Sequence, residues 1–145
     1  MPLQCLIFSR YNLVYDGNAD SVTLPGLNGQ ITILPKHITM YAKLQAGIVT
    51  VKKDGEANEF TVTGGFVQVL KDQIRILADS SEHVEEIDLE RAEAARKRAE
   101  AAMKKAPSTE SSEFLKAYLL WKKSTVRVKA AQKAKARSHW IPKPK

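Results

Sequence analysis

Two hydrophobic periodicities divide the chain. Before residue 87, short apolar runs rich in β-branched residues alternate with turn residues, and after it small and aromatic residues return every three or four positions. The first pattern is typical of strands in a small sandwich or barrel, and the second of amphipathic helices. The patterns therefore predict a β-domain followed by a helical hairpin.

Turn signals separate the predicted strands. The apolar run 46–51 is followed by Asp54-Gly55 and then by renewed alternation, which predicts an antiparallel hairpin with its turn at this dipeptide. Gly64-Gly65 interrupts a later apolar run, and glycine inside a strand commonly marks a bulge or a close approach between backbones.

The second part predicts two helices. Residues 88–105 contain no Gly, Pro or β-branched residue, so their helix propensity is high, and Asp88 is placed to cap the first turn. Pro107 and the serines after it end this helix. Ser112 is the predicted cap of a second helix that spans about 113–137.

Charge supports the division. Residues 1–86 contain seven Lys/Arg and ten Asp/Glu, whereas residues 87–145 contain sixteen and six, so the net charges are −3 and +10. This asymmetry indicates that the basic part meets nucleic acid, anionic lipid or an acidic protein surface. We predict a β-domain at 1–86, a helical hairpin at 87–137 and a mobile basic, proline-containing tail at 138–145.

The two predicted helices have different faces. The first has a stripe of alanines, which buries little apolar area, and the second has an aromatic-rich stripe. An ordinary amphipathic hairpin with a solvated charged face explains both stripes. They consist of Ala92, Ala95, Ala99, Ala102 and Ala106 on the first helix, and of Phe114, Tyr118, Trp121, Thr125 and Val128 on the second.

The second helix is unusually basic. Residues 113–137 contain eight basic residues and one acid, and like charges at this density repel one another. A weakly packed hairpin with such a helix is a candidate for moving between two packings.

The sequence contains few residues in a pattern that could support catalysis. The three histidines, His37, His83 and His139, have no partner at metal-ligand spacing, and no nucleophile–base set is evident. Cys5 lies in the first apolar run, which predicts a buried, inert thiol and excludes an internal disulfide. We therefore expect no active site and no metal. The chain also lacks a run of roughly 20 apolar residues, which a membrane span needs. It also lacks the pattern of a signal peptide.

Five short motifs occur in one order along the first hundred residues. They combine paired glycines, a Leu-Pro-x-His step and an Ile-Asp-Leu-Glu-Arg-Ala run. They are Leu24-Pro25-Gly26-Leu27-Asn28-Gly29 with Ile33-Leu34-Pro35-Lys36-His37, Leu44-Gln45-Ala46-Gly47-Ile48-Val49, Thr63-Gly64-Gly65-Phe66-Val67-Gln68-Val69, Ile76-Leu77-Ala78-Asp79 and Ile87-Asp88-Leu89-Glu90-Arg91-Ala92.

In this order and spacing the motifs resemble the epsilon subunit of F-type ATP synthases, strongly over about 3–106 and in architecture over 107–137. The resemblance implies a ten-stranded β-sandwich followed by an antiparallel two-helix hairpin. It implies a non-catalytic subunit of the rotor, or central stalk, that couples the gamma subunit to the c-subunit ring during proton-driven ATP synthesis. The protein would lie peripherally at the cytoplasmic face of the cell membrane.

The resemblance also implies contact residues in the β-domain. The loop with Gly26, Gly29, Gln30 and Ile31 would face the c ring, and His37 would lie near the gamma subunit. Turn geometry alone is an alternative explanation for the two glycines. For His37 the alternative is an exposed loop histidine without function.

For the hairpin, the resemblance implies an inhibitor of ATP hydrolysis that extends between the alpha and beta catalytic subunits. Exposed ion pairs contribute only about 0–1 kcal/mol each, so several must act together against an acidic partner segment. The basic residues expected to do so are Lys116, Lys122, Lys123, Arg127, Lys129 and Lys133.

Some bacterial relatives bind ATP on the folded hairpin, and this chain resembles their pattern except that Lys123 stands where they have an arginine. No cofactor is required, but regulatory ATP is implied, without a need for magnesium. The alternative is structural, with Asp88 starting the helix and Arg91 pairing with nearby acids. The implied nucleotide-binding residues are Glu82, Asp88, Arg91, Arg98, Lys123 and Arg127.

Two other classes of function compete with this interpretation. The pI of about 9.5 and the aromatic, basic second helix are compatible with a nucleic-acid-binding module, but no reader motif is present. The same helix is compatible with an amphipathic segment at a membrane surface. We expect neither nucleic acid nor a membrane span.

Overall fold

The computed structural model describes residues 3–140, with side chains through residue 136. These residues form two compact units, one ending at His83 and one beginning at Val84. The boundary precedes the change of periodicity at Ile87, because the short 3₁₀ helix Val84–Glu86 contacts the last helix of the chain.

The first unit contains eight described strands, not the ten that we expected. Two of them, β5 and β6, are continuous over 14 and 15 residues, so each takes the place of two shorter strands. The strands are β1 (Leu3–Phe8), β2 (Leu13–Ala19), β3 (Ser21–Gly26), β4 (Gly29–Ile33), β5 (Met40–Lys53), β6 (Glu56–Leu70), β7 (Gln73–Ala78) and β8 (Ser81–His83).

All eight strands belong to one hydrogen-bonded sheet. Their order is β2-β1-β7-β6-β5-β3-β4, with β8 added beside β6. The β1–β7 pair is parallel, and the other pairs are antiparallel. β6 pairs with β8 near its start and with β7 near its end, so the two halves of this strand serve different parts of the sheet.

The sheet closes on one hydrophobic core, as in a β-sandwich. Alternate residues of the strands point inward, and both halves of β6 contribute, with Phe60 and Val62 from the first half and Val67 and Val69 from the second. The large buried side chains are almost all aliphatic, so burial of apolar surface stabilises this unit.

Two adjacent glycines lie within β6 where its pairing passes from β8 to β7. Gly64 and Gly65 have φ angles of 122° and 138°, which other residues rarely adopt. A Cβ atom added to Gly65 would lie 2.0 Å from the carbonyl oxygen of Leu77 on β7. The predicted close approach between backbones is therefore confirmed at this dipeptide.

The Asp54-Gly55 turn is also confirmed. Both residues have positive φ, at 52° and 80°, and the flanking Lys53 and Glu56 pair across the β5–β6 hairpin. The carboxylate of Asp20 accepts a hydrogen bond from the backbone N–H of Asp54 at 2.9 Å. This bond fixes the turn to the start of β3.

The second unit contains α1 (Leu89–Lys105) and α2 (Ser112–Trp140). Asp88 caps α1 as predicted, because its Oδ1 accepts a hydrogen bond from the N–H of Arg91 at 3.1 Å. The cap of α2 is Ser111 rather than the predicted Ser112: the Ser111 hydroxyl accepts from the N–H of Phe114 at 3.1 Å.

The second helix extends further than the sequence pattern indicates. It reaches Trp140, the last residue that the structure describes, and residues 138–140 contain neither proline nor glycine. The first part of the predicted mobile tail is therefore helical. The remainder, residues 141–145, lies outside the described residues.

We expect the Gly65→Ala substitution to lower the free energy of unfolding by about 2–5 kcal/mol, since it adds both backbone strain and a clash with Leu77. Gly55→Ala is the matched control. It also has positive φ, but its added Cβ meets nothing within 4 Å, so the expected loss is about 1 kcal/mol. Urea denaturation measures both losses, and equal values would contradict the close-approach explanation.

We expect Cys5 to resist thiol reagents in the folded protein. The side chain is fully buried, and burial raises the pKa of its thiol from 9.0 to about 12. At pH 8 a disulfide reagent should modify the protein only after unfolding in guanidinium. Rapid modification of the native protein would contradict this prediction.

The same shift of the Cys5 pKa predicts an alkaline loss of stability. Above about pH 9 the unfolded chain releases the thiol proton while the folded chain retains it, so the free energy of unfolding falls as pH rises from 9 toward 12. In the Cys5→Ala variant, this alkaline fall in the free energy of unfolding should be absent.

Candidate partner and nucleotide surfaces

The β3–β4 hairpin brings together four of the predicted contact residues. Gly26 pairs with Gly29 across a two-residue turn, and Gln30 and Ile31 follow on β4. Gly29 has a φ angle of 130°, which favours glycine. Gly26 is required for a different reason, because an added Cβ would lie 2.8 Å from the backbone carbonyl oxygen of Gly29.

This hairpin forms one wall of an open depression of about 370 Å³. The N–H of Leu27 donates to the carbonyl of Lys43 at 3.3 Å, which holds the hairpin tip against β5. Polar and apolar groups alternate around the depression. Its lining residues are Leu27, Asn28, Gly29, Gln30, Ile31, Tyr41, Ala42 and Lys43.

His37 is not part of this depression. It lies in the loop between β4 and β5 and is half-buried, and its Nδ1 donates to the carbonyl of Ile38 at 2.9 Å. The structure therefore separates the predicted contact residues into a hairpin tip and a loop.

The outward face of the sheet carries an apolar row that sequence reasoning missed. Phe66 pairs with Leu77, Leu77 with Phe8, and Phe8 with Leu13, and directly paired residues share a face. Phe66, Leu77 and Leu13 are 53%, 52% and 49% exposed. On the outward faces of β6 and β7, Phe66 and Leu77 stand among polar residues such as Gln68 and Arg75, and these apolar residues at outward positions are the signal in the sequence for this row.

In the helical unit, small side chains form the contact between α1 and α2. Ala92 and Ala99 of α1 are buried, and on α2 Ala117, Ser124 and Val128 are buried at matching intervals. The predicted aromatic stripe is thus only partly buried. Tyr118 stays exposed because the small residue Ala117 occupies the contact, and its ring stacks between those of Phe114 and Trp121.

One side-chain hydrogen bond between α1 and α2 indicates which residues of the two helices lie opposite each other. The Nε1 of Trp121 donates to Oε1 of Glu100 at 3.1 Å. From this pair, the rise of about 1.5 Å per residue in an antiparallel hairpin places Arg98 level with Lys123. It also places Arg91 and Arg127 within about one turn of each other.

Six basic residues share one side of the hairpin. Five of them immediately precede a buried contact residue and so point about 100° away from the contact, and Lys105 lies two turns beyond Arg98 on the same face of α1. In an antiparallel pair these positions of both helices face the same side. This two-helix basic row consists of Arg91, Arg98 and Lys105 of α1 and Lys116, Lys123 and Arg127 of α2.

The predicted inhibitory residues therefore fall on two sides of α2. Lys116, Lys123 and Arg127 belong to the two-helix basic row. Lys122 and Lys129 each follow a contact residue, so they lie on the opposite side of the contact. We call this second group the α2 basic row. Lys133 lies one turn beyond Lys129 and completes this second row.

Four of the six predicted nucleotide-binding residues lie in the two-helix basic row: Arg91, Arg98, Lys123 and Arg127. The first three are exposed, while Arg127 is half-buried and has an interaction partner. Asp88 uses one carboxylate oxygen to cap α1. Glu82 lies on β8 in the other unit, paired with Thr61.

Neither a metal cluster nor a transmembrane helix occurs in the described part of the chain. Among residues 3–140 no three His, Cys, Asp or Glu side chains are grouped so that they could hold a metal ion. No helix in that range has both the length and the apolar composition needed to cross a membrane.

Family models account for both units. The ATP synthase delta/epsilon chain beta-sandwich domain matches residues 2–84, and the long alpha-helix domain of the same chain matches residues 85–137. The chain belongs to the epsilon-chain family of ATP synthases. An ATP synthase epsilon chain of Herpetosiphon aurantiacus is 36% identical over 132 residues, which cover 91% of this chain and 96% of that relative.

Solved structures share the fold. A chain of the Euglena gracilis mitochondrial ATP synthase, solved as OSCP/F1/c-ring, matches with a TM-score of 0.75 and 19% identity over 90% of this chain and 81% of its own. A chain of the Tetrahymena thermophila mitochondrial ATP synthase, solved as central stalk and c ring, matches with a TM-score of 0.56 and 20% identity over 90% and 97%. Because it belongs to this family, the chain is a non-catalytic subunit of the ATP synthase complex, which synthesises ATP and transports ions.

Proposed function

We propose that this epsilon chain is a rotor subunit that joins the gamma subunit to the c ring. The observation that carries the proposal is that one β-unit exposes two chemically different surfaces. The hairpin tip at Gly26–Ile31 exposes the polar side chains Asn28 and Gln30 together with Leu27, whereas the half-exposed row around Phe66 and Leu77 is apolar. A contiguous exposed apolar surface favours a protein partner.

Each surface suits a different neighbour. We assign the hairpin tip, with Gly29, Gln30 and Ile31, to the polar loops of the c ring. The apolar row and the loop with His37 we assign to the gamma subunit. A stiff strand framework supports both contacts, so torque can pass between the two partners during proton-driven ATP synthesis. The subunit would lie peripherally at the cytoplasmic face of the cell membrane.

We further propose that the hairpin inhibits ATP hydrolysis when it extends between the alpha and beta subunits. The support is the thin contact between α1 and α2, made largely of alanine, serine and valine. Such a contact buries less apolar area than a leucine contact, so separating the helices costs less free energy. The basic residues of α2 would then meet an acidic segment of a catalytic subunit.

The folded hairpin is proposed to bind ATP through the two-helix basic row. Arg98 and Lys123 at one level, with Arg91 and Arg127 nearby, can approach the three phosphate groups from both helices. Because these side chains supply the positive charge themselves, magnesium is not required. The binding site then needs both helices, so bound ATP favours the folded hairpin over the extended one.

The contacts of Trp121 support this proposal over the two alternatives. Trp121 is half-buried and hydrogen-bonded to Glu100, and its ring stacks against Tyr118. Trp121 is therefore engaged inside the hairpin and unsuited to stacking on nucleic-acid bases or anchoring at a lipid surface. Binding to duplex DNA or to anionic vesicles by the intact chain would favour an alternative.

We expect a chain truncated after Pro107 to join an ATP synthase lacking its epsilon chain and to leave ATP hydrolysis faster than the full chain does. Inhibition by the full chain should weaken between about 50 and 500 mM salt, because exposed charges are screened. An unchanged hydrolysis rate after truncation would remove the inhibitory role. Failure of the full chain to bind the depleted complex would remove the rotor assignment.

We expect calorimetry with ATP to detect binding to the isolated full chain, and Lys123→Gln to weaken this binding by about three- to tenfold. Lys129→Gln is the matched control, because it removes the same charge from the opposite side of α2. It should leave the affinity nearly unchanged. Absence of heat at millimolar ATP would exclude the nucleotide site, and equal losses in both variants would exclude the two-helix basic row.

A further inference from the structure

Backbone strain is concentrated beside the β6–β7 turn. Among the described residues, four that are not glycine have positive φ, and three of them meet here: Lys36 at 65°, Lys71 at 47° and Asp72 at 59°. A two-residue hairpin turn with both φ angles positive normally uses Asn-Gly or Asp-Gly. Strain of this kind persists only where surrounding contacts hold it, and it is concentrated at functional sites.

Asp72 is hydrogen-bonded to two distant segments. Its Oδ1 accepts from the backbone N–H of Lys36 at 2.7 Å, and its backbone carbonyl accepts from the N–H of Gln4 at 2.8 Å. Next to it, the side-chain amide of Gln73 donates to that of Gln4 at 3.0 Å. The turn is therefore fixed to β1 and presents its carboxylate from a rigid part of the sheet.

The segment held by this carboxylate exposes large apolar side chains. Leu34 and Ile38 are 56% and 76% exposed, and they flank Lys36 and His37 in the loop between β4 and β5. An apolar loop binds a partner more tightly when its conformation is already set, because less conformational entropy is lost on docking. The short hydrogen bond that the Lys36 N–H donates to the Asp72 carboxylate can fix this conformation.

We propose that Asp72 is the positioning residue of this contact loop: its carboxylate holds Lys36 in its positive-φ conformation and so presents Leu34, His37 and Ile38 to the gamma subunit. The proposal rests on the proposed function, since it takes this loop as a gamma contact. Asp72 itself need not touch the partner.

Three variants of the full chain test the role of Asp72. Asp72→Gly removes the carboxylate without new strain, since glycine readily adopts a φ angle of 59°. Asp72→Asn keeps an oxygen that can accept the Lys36 N–H. Asp20→Ala is the matched control, because Asp20 also accepts a backbone N–H across a turn, at 2.9 Å from Asp54, but does not hold this loop.

In the isolated chain, hydrogen exchange of the Lys36 amide should accelerate about tenfold or more in Asp72→Gly and change little in Asp72→Asn and Asp20→Ala. With an ATP synthase lacking its epsilon chain, Asp72→Gly should bind about tenfold more weakly than wild type, with the other two variants close to wild type. If Asp72 acted only through general stability, Asp20→Ala should weaken binding as well. Weak binding by Asp72→Gly alone therefore indicates a positioning role.

The result that overturns the inference is wild-type binding by Asp72→Gly, or equal weakening by Asp72→Gly and Asp20→Ala. An unchanged Lys36 amide in Asp72→Gly overturns it as well. Failure of the wild-type chain to bind the depleted complex is a different result: it removes the proposed function, and the inference with it.

Discussion

The fold of the β-unit depends on the close approach of two backbones at Gly65. Only a residue without a Cβ can lie against the Leu77 carbonyl, and the φ angle of 138° at this position is one that other residues rarely adopt. One half of β6 can then pair with β8 and the other with β7, while both halves contribute to the same core. The long β5–β6 pair thereby replaces several shorter strands, and the surfaces at the hairpin tip and along the apolar row occupy fixed places on one framework.

The two units are stabilised in different ways, which suits different tasks. The β-unit buries many large aliphatic side chains, including Leu3, Ile7 and Leu24, and its sheet leaves the contact surfaces little freedom. In the helical unit, alanine, serine and valine fill the contact, and basic residues line both flanks of α2. By apolar area, the second contact is the weaker one. The proposed rotor role requires a rigid β-unit, and the proposed inhibitory role requires a hairpin whose two helices can separate.

Local chemistry made several features predictable. The Asp54-Gly55 turn, the Asp88 cap and the buried Cys5 follow from preferences that act over a few residues, and the structure confirms them. The strand count was wrong because nothing in the local sequence says whether a long strand is interrupted. The cap of α2 was misplaced by one residue, from Ser111 to Ser112, since adjacent serines have the same capping chemistry. The role of Gly26 was missed because it depends on how closely the backbone of Gly29 approaches across the turn.

By itself, the sequence determined the order of a β-domain and a helical hairpin, the basic character of the second, and the family, because periodicity, charge and motif spacing are properties of the chain alone. Only the tertiary structure decided which basic residues share a side, which apolar residues stay exposed, and that Asp72 reaches Lys36. These features join residues far apart in the chain. Their distances are set by strand register, helix rotation and turn geometry acting together, and no local pattern records that combination.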